Sequence, residues 1–267
     1  MTKETYDLVA EELLDAEEEV RTLHTMSDET RWVFRIGGVA AVAGSLLGMV
    51  GNLIHPVTPI DDPEGVAQEI ADSGMWVAIH LAIVLGIALM LGGLVAIRHS
   101  IREGVAGALA RFGLVAAIAG TTIGLILVIL DGVGARQLAQ EWAEASSGDR
   151  SIALGLVHVN ETINFALASL FNFVFAAGTF ILFGLAVALS DAYPRWLGWV
   201  ATTAGVLSVA AGGIQAAVGE PTDASRVLTI IGPTVITLWL LIMGILLLRK
   251  VRGTSIDTLA APARGAA

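Results

Sequence analysis

The chain has 267 residues, 55% hydrophobic and only 15% charged, with a formal net charge of −10. So little polar surface excludes a soluble globular domain of this size, and the acidic balance argues against nucleic acid as a partner. With no Cys, disulfides, thiolate metal centres, iron–sulfur clusters and Cys nucleophiles are excluded.

Residues 1–31 open the chain as an acidic amphipathic helix. Tyr6, Val9, Leu13, Ala16, Val20 and Leu23 recur at steps of three and four, with acidic residues opposite. Such a stripe covers the protein's own cytoplasmic face, or pairs residues 5–26 with a second copy or a partner chain. It lacks the basic start and short apolar core of a secretory signal.

Apolar runs long enough to cross ~30 Å of hydrocarbon as helices follow. They predict six transmembrane spans near 33–54, 76–97, 110–131, 166–189, 196–218 and 227–248. The fold class is therefore all-α: a polytopic membrane protein with a bundle over 32–250 and a disordered tail over 251–267. Arg98, Arg102 and Arg111 mark one connection as cytoplasmic, and Arg249, Lys250 and Arg252 mark the end of the last span. The 56–75 connection has no basic residue and is acidic, which places both termini in the cytoplasm. A chain this rich in Ala, Gly and Val, with Lys3 and Lys250 as its only lysines, suits a prokaryotic cytoplasmic membrane.

The odd-numbered spans look related. Each places two glycines seven residues apart: Gly37/Gly44, Gly113/Gly120 and Gly198/Gly205. The even spans share a glycine before the cytoplasmic end, in "LGGLVAIRHS", "LFGLAVALSD" and "LIMGILLLRK". Small residues at helical spacing let membrane helices approach closely, and the pattern predicts three repeated helical hairpins in one bundle. At "YPRWLGWVATTAG" (193–205) the chain resembles a diffuse set of uncharacterised prokaryotic membrane proteins with about six spans, in which a Pro-Arg-Trp-Leu-Gly-Trp-like start opens a late helix. That resemblance implies the six-span architecture and carries no activity.

Polar groups gather toward one end of the spans. Measured at 1.5 Å per residue from the cytoplasmic markers, His55, His80, Asp131, Asn172 and Gln215 all fall ~27–30 Å up. Asn52 lies one turn below His55. Water begins where spans end, so a polar girdle there is expected in any case. The functional alternative is that His55, His80 and Asp131 converge on an ion, a metal or haem, since neutral imidazoles suit transition metals and two His can ligate haem iron. His80, inside an apolar run, is the residue that most needs explaining.

The run 151–190 is about forty residues, ~60 Å as one helix and twice a bilayer core. It must project, tilt or break, and Asn160–Asn164 is the expected break because Asn competes for backbone hydrogen bonds. His158 and Glu161, three apart, form a weak metal or proton-relay pair, with the segment around them projecting or folding over as a lid. His-Glu-x-x-His, Gly-x-Ser-x-Gly and phosphate-loop signatures are absent, so no catalytic residue is assigned and no spacing supports an intramembrane hydrolase.

The leading expectation is a protein that binds an ion, metal, haem or small amphiphile in an outward-facing polar pocket, alone or as a subunit. Its wall would comprise His55, His80, Asp131, Glu161, Asn172 and Gln215. A small-solute transporter or channel, and a non-catalytic assembly subunit acting through the N-terminal helix, are the alternatives. The cofactor, if any, is left open between metal and haem, and the lipid bilayer is the one certain partner.

Overall fold

The computed structural model describes residues 26–59, 62–219 and 222–260. Most of the acidic N-terminal stripe, residues 1–25, and the end of the tail, 261–267, lie outside them. The described residues contain helices and no strands.

Helix α1 (Asp28–Ile54) begins where the Ser27 hydroxyl accepts the Thr30 amide at 3.2 Å, with Asp28 and Glu29 facing the positive end of the helix dipole. It stops at His55, whose extended backbone is what a following proline, Pro56, requires. Short α2 (Pro63–Asp72) is capped by Asp62, whose carboxylate accepts the Gly65 amide at 2.9 Å, and starts on a proline. Then come α3 (Trp76–Ser100) and α4 (Gly104–Ile129), the latter running through a π-helical turn, π1 (Leu130–Gly134), into α5 (Ala135–Glu144). Likewise α6 (Arg150–Phe171) runs through π2 (Asn172–Thr179) into α7 (Phe180–Ala188). Helix α8 (Arg195–Val218) ends on Gly219 at φ 78°, and α9 (Asp223–Ala260) contains Pro233.

Among the described residues, six segments are long and apolar enough to cross a membrane: Asp28–Ile54, Trp76–Ser100, Gly104–Glu144, Arg150–Ala188, Arg195–Val218 and Ile230–Arg252. The third and fourth hold 41 and 39 residues, ~60 Å of helix against a ~30 Å hydrocarbon core. The excess stands up as a hairpin of α5 and the start of α6, and α2 packs against it to form a cap. Ile70, Trp76, Ala135 and Ala139 make one small core of the cap, and Ala67, Trp142 and Val157 another. The Arg136 guanidinium donates to the Ile70 carbonyl and ties α2 to α5.

The expected break at Asn160–Asn164 does not occur. Helix α6 is continuous through both residues, so 151–165 neither leaves the helix nor folds back, and the irregularity falls lower, at Asn172–Thr179. The cap offers the projecting turns buried contacts, which removes the reason to break.

Lipid is as apolar as the side chains, so the bundle is held by close packing and by hydrogen bonds rather than by apolar burial. A Cβ on Gly44 would sit 2.6 Å from the Gly86 carbonyl oxygen, so α1 and α3 touch backbone to backbone there. Gly113 and Gly120 likewise receive Phe183 and Phe175 of the following span. The third pair differs: Gly198 and Gly205 face Ala188 and Ile181 of the preceding span, so one repeated hairpin does not describe all three pairs. Farther in, Phe180 meets Phe175 and Trp239 edge-on at 5.6 and 5.7 Å, and the Trp239 indole donates to the Leu197 carbonyl at 2.8 Å.

Candidate metal centre

Three segments of the chain meet at the cap end of the bundle. His55 is the residue that terminates α1, His80 lies one turn inside α3, and Asp131 sits in π1. A π-helical turn carries an extra residue and re-aims the side chains in it, a feature often found at functional sites. Here it presents Asp131 to His80, across the point where Gly132 is pressed against the imidazole.

The contacts are short. His55 Nε2 is 3.2 Å from His80 Nε2, and His80 Nε2 is 3.1 Å from Asp131 Oδ2. On the far side of each ring, His55 Nδ1 lies 2.7 Å from the Pro56 carbonyl oxygen and His80 Nδ1 lies 2.7 Å from that of Trp76. A carbonyl only accepts, so both Nδ1 atoms carry a proton and each ring turns its Nε2 inward. Burial, the largest influence on it, holds His55 below its ordinary pKa and so favours its neutral form. Two Nε2 atoms and a carboxylate oxygen thus face one another within 4.8 Å.

Trp76 builds the frame. Its ring packs against His55 at 5.0 Å and His80 at 4.8 Å, and its indole N–H donates to the Asp131 carbonyl at 2.8 Å. His80 is 2% exposed and the Asp131 side chain 33%.

The cluster borders a cavity of about 380 Å³ that runs down between α1, α3, α4, α6 and α9. His55, His80 and Asp131 sit at its top with Asn52, Glu161 and Asn164, and Asn172 lies lower. Asn52 donates to the Gly48 carbonyl at 2.8 Å. Asn172 donates to Gln215 at 2.8 Å, so those two residues meet as a buried pair between π2 and α8. His158 is exposed and stands apart from the cluster, its carbonyl accepting the Thr162 hydroxyl.

The single polar girdle resolves into two tiers. Gly134 lies beside Asn160, Gly124 beside Phe171, Gly120 against Phe175 and Gly113 against Phe183, so the antiparallel register sets Asp131 level with Asn164. Asn172 is then about eight residues, ~12 Å, deeper. A ruler started at Asp191 misplaces the fourth span, because Asp191 lies about six residues beyond the level of Arg111, ~9 Å lower along the axis.

Asn164 and Trp76 are the residues that sequence reasoning missed as parts of this region. Asn164 is 7% exposed, and neither its amide nitrogen nor its amide oxygen has a hydrogen-bond partner among the described residues. Its signal was its place three residues after Glu161, on the same helical face. Trp76, just before a buried His, is indistinguishable in sequence from an interfacial anchor.

Comparison with family models, with curated proteins and with solved structures gives no match.

Proposed function

We propose that this integral membrane protein binds a divalent transition metal of the zinc class through His55 Nε2, His80 Nε2 and an Asp131 carboxylate oxygen. One observation carries the reading: both Nδ1–H groups are committed to carbonyls, which leaves both Nε2 atoms and the carboxylate facing one another within 4.8 Å. A tetrahedral ion with ~2.05 Å bonds has ligand–ligand edges of about 3.3 Å, close to the 3.2 and 3.1 Å separations of His80 from its two neighbours, with the His55–Asp131 pair within 4.8 Å. Carbonyl-bound Nδ1–H groups are the usual outer support of metal-ligating His.

Haem fits less well. Two axial imidazoles stand on opposite faces of the porphyrin, about 4 Å apart through the iron at ~2 Å bonds, whereas these rings are in direct contact at 3.2 Å. Arginines at the opposite end of the bundle support cytoplasmic termini, which turns the metal site and the cap to the outer face of a prokaryotic membrane.

The test is metal content of protein purified in detergent without chelator and equilibrated with micromolar free Zn²⁺. One equivalent per chain is expected, falling below a tenth in His55→Gln, His80→Gln and Asp131→Asn variants that keep the wild-type elution volume. No bound metal, or equal content in all three variants, overturns the proposal; a shared proton between the rings is then the better account.

A further inference from the structure

The ligands come from three separate helices, a constellation that no spacing along the chain could reveal. They number three, and among the described residues no fourth His, Asp or Glu joins them. Structural zinc sites are closed by four protein ligands, whereas catalytic ones keep three and leave a position for water. The position left here opens on the cavity.

Two groups at the top of that cavity have no structural employment. Glu161 lines it one turn above the level of Asp131, outside the ligand cluster and without a hydrogen-bond or ion-pair partner among the described residues. Asn164, level with Asp131, is more than nine-tenths buried, lines the same space and leaves both amide atoms unpaired. Leaving a buried amide unpaired is costly, so Asn164 offers both a donor and an acceptor to a ligand that enters that space. Beneath them the wall is apolar: Ile83, Ile87, Leu127, Phe165, Phe171 and Phe175. The space is polar at its head, greasy along its length, and of the size that takes one small ligand.

We propose that this is the active site of a metal-dependent hydrolase that cleaves the ester or amide carbonyl of a single-chain lipid. The proposal rests on the metal reading above and adds a reaction and a substrate class to it. The acyl chain lies along the apolar wall and its carbonyl reaches the metal and Asn164. Metal-bound water attacks the carbonyl carbon, and its proton passes to the Glu161 carboxylate as the new C–O bond forms. The Asn164 Nδ2–H and the metal hold the tetrahedral oxygen. The bond to the alcohol or amine then breaks, Glu161 returns the proton to that leaving group, and a fatty acid and the alcohol or amine result.

Cobalt(II)-loaded protein reads the open position, because its visible absorption changes with coordination. Decanohydroxamic acid should perturb that spectrum at concentrations at least 100-fold below those needed with acetohydroxamic acid. With zinc bound, 4-nitrophenyl decanoate should be hydrolysed, about 100-fold more slowly in Glu161→Gln and at least tenfold more slowly in Asn164→Leu, each retaining one zinc. An unchanged spectrum, equal potency of the two hydroxamates, or a wild-type rate in zinc-loaded Glu161→Gln overturns the hydrolase and leaves metal binding standing. Failure to bind cobalt or zinc at all overturns the metal reading itself.

Discussion

Trp76 opens the first turn of α3, holds both imidazoles by ring contact and fixes the Asp131 carbonyl through its indole N–H. Replacing it by Phe keeps the ring contact and removes only the donor. Trp76→Phe should therefore weaken zinc binding by about 10–100-fold, the usual effect of an outer support, without changing the stoichiometry at saturation; competition with a chromophoric chelator measures it. At the opposite end, Tyr193 joins Ser100 by a 2.7 Å hydrogen bond and lies under the Lys250 ammonium. Burial pushes its hydroxyl up to about 12 from 10. The folded pKa is raised, so the associated stability is complete below pH 10 and is lost as pH rises toward 12, on the order of 2 kcal/mol. Melting in detergent should fall across that window, and less steeply in Tyr193→Phe; an equal slope would dissociate Tyr193 from alkaline unfolding. Of these residues, His80 was legible in sequence because an ionisable group inside an apolar run is costly. Asn164 was not, since a buried unpaired amide and a helix-breaking one look identical as letters.

The span cores were legible from hydrophobic length, but the element ends were not placed; they have local causes in Ser27 and Asp62 as caps, prolines at 56, 63 and 194, and Gly219 at a left-handed turn. The π turns have no such cause, because they answer to neighbours rather than to propensity. π1 turns Asp131 toward His80, and π2 begins at Asn172, where the side chain meets Gln215 on α8. Deleting Val133 should convert π1 to regular helix, rotate Asp131 by about 100° relative to α5 and abolish zinc binding while the six spans remain. Unaltered zinc content would show that the turn does not position the ligand. Glycines test helix contact in the same way. Gly44→Val places side-chain atoms against the Gly86 backbone and should lower stability by about 1–3 kcal/mol or more. Gly155→Ala meets open space and should leave stability unchanged or raise it by up to ~1 kcal/mol. Melting temperatures in one detergent rank the two; Gly155→Ala below Gly44→Val would contradict the packing described.

Over the whole molecule, six spans and their apolar cores follow from hydrophobic length alone, but who neighbours whom does not. The first and last spans pack together through Gly38 and Gly244, and the third glycine pair turns to the span before it, contacts that seven-residue spacing cannot choose between. The two long spans create what the sequence only hinted at, a cap built from α2, α5 and the start of α6. Because the chain lacks Cys, single cysteines report sidedness cleanly. With cytoplasmic termini, Ser146→Cys in the cap should react with an impermeant maleimide on intact cells and Glu103→Cys only after lysis; the reverse pattern would invert the topology. The metal centre is the central claim, and X-ray absorption at the zinc edge addresses it most directly. Zinc-loaded protein should show nitrogen and oxygen ligands at about 2.0–2.1 Å with outer-shell scattering from two imidazoles, reduced to one in any zinc that His80→Gln retains. A spectrum without imidazole scattering, or one that His80→Gln leaves unchanged, would contradict the account.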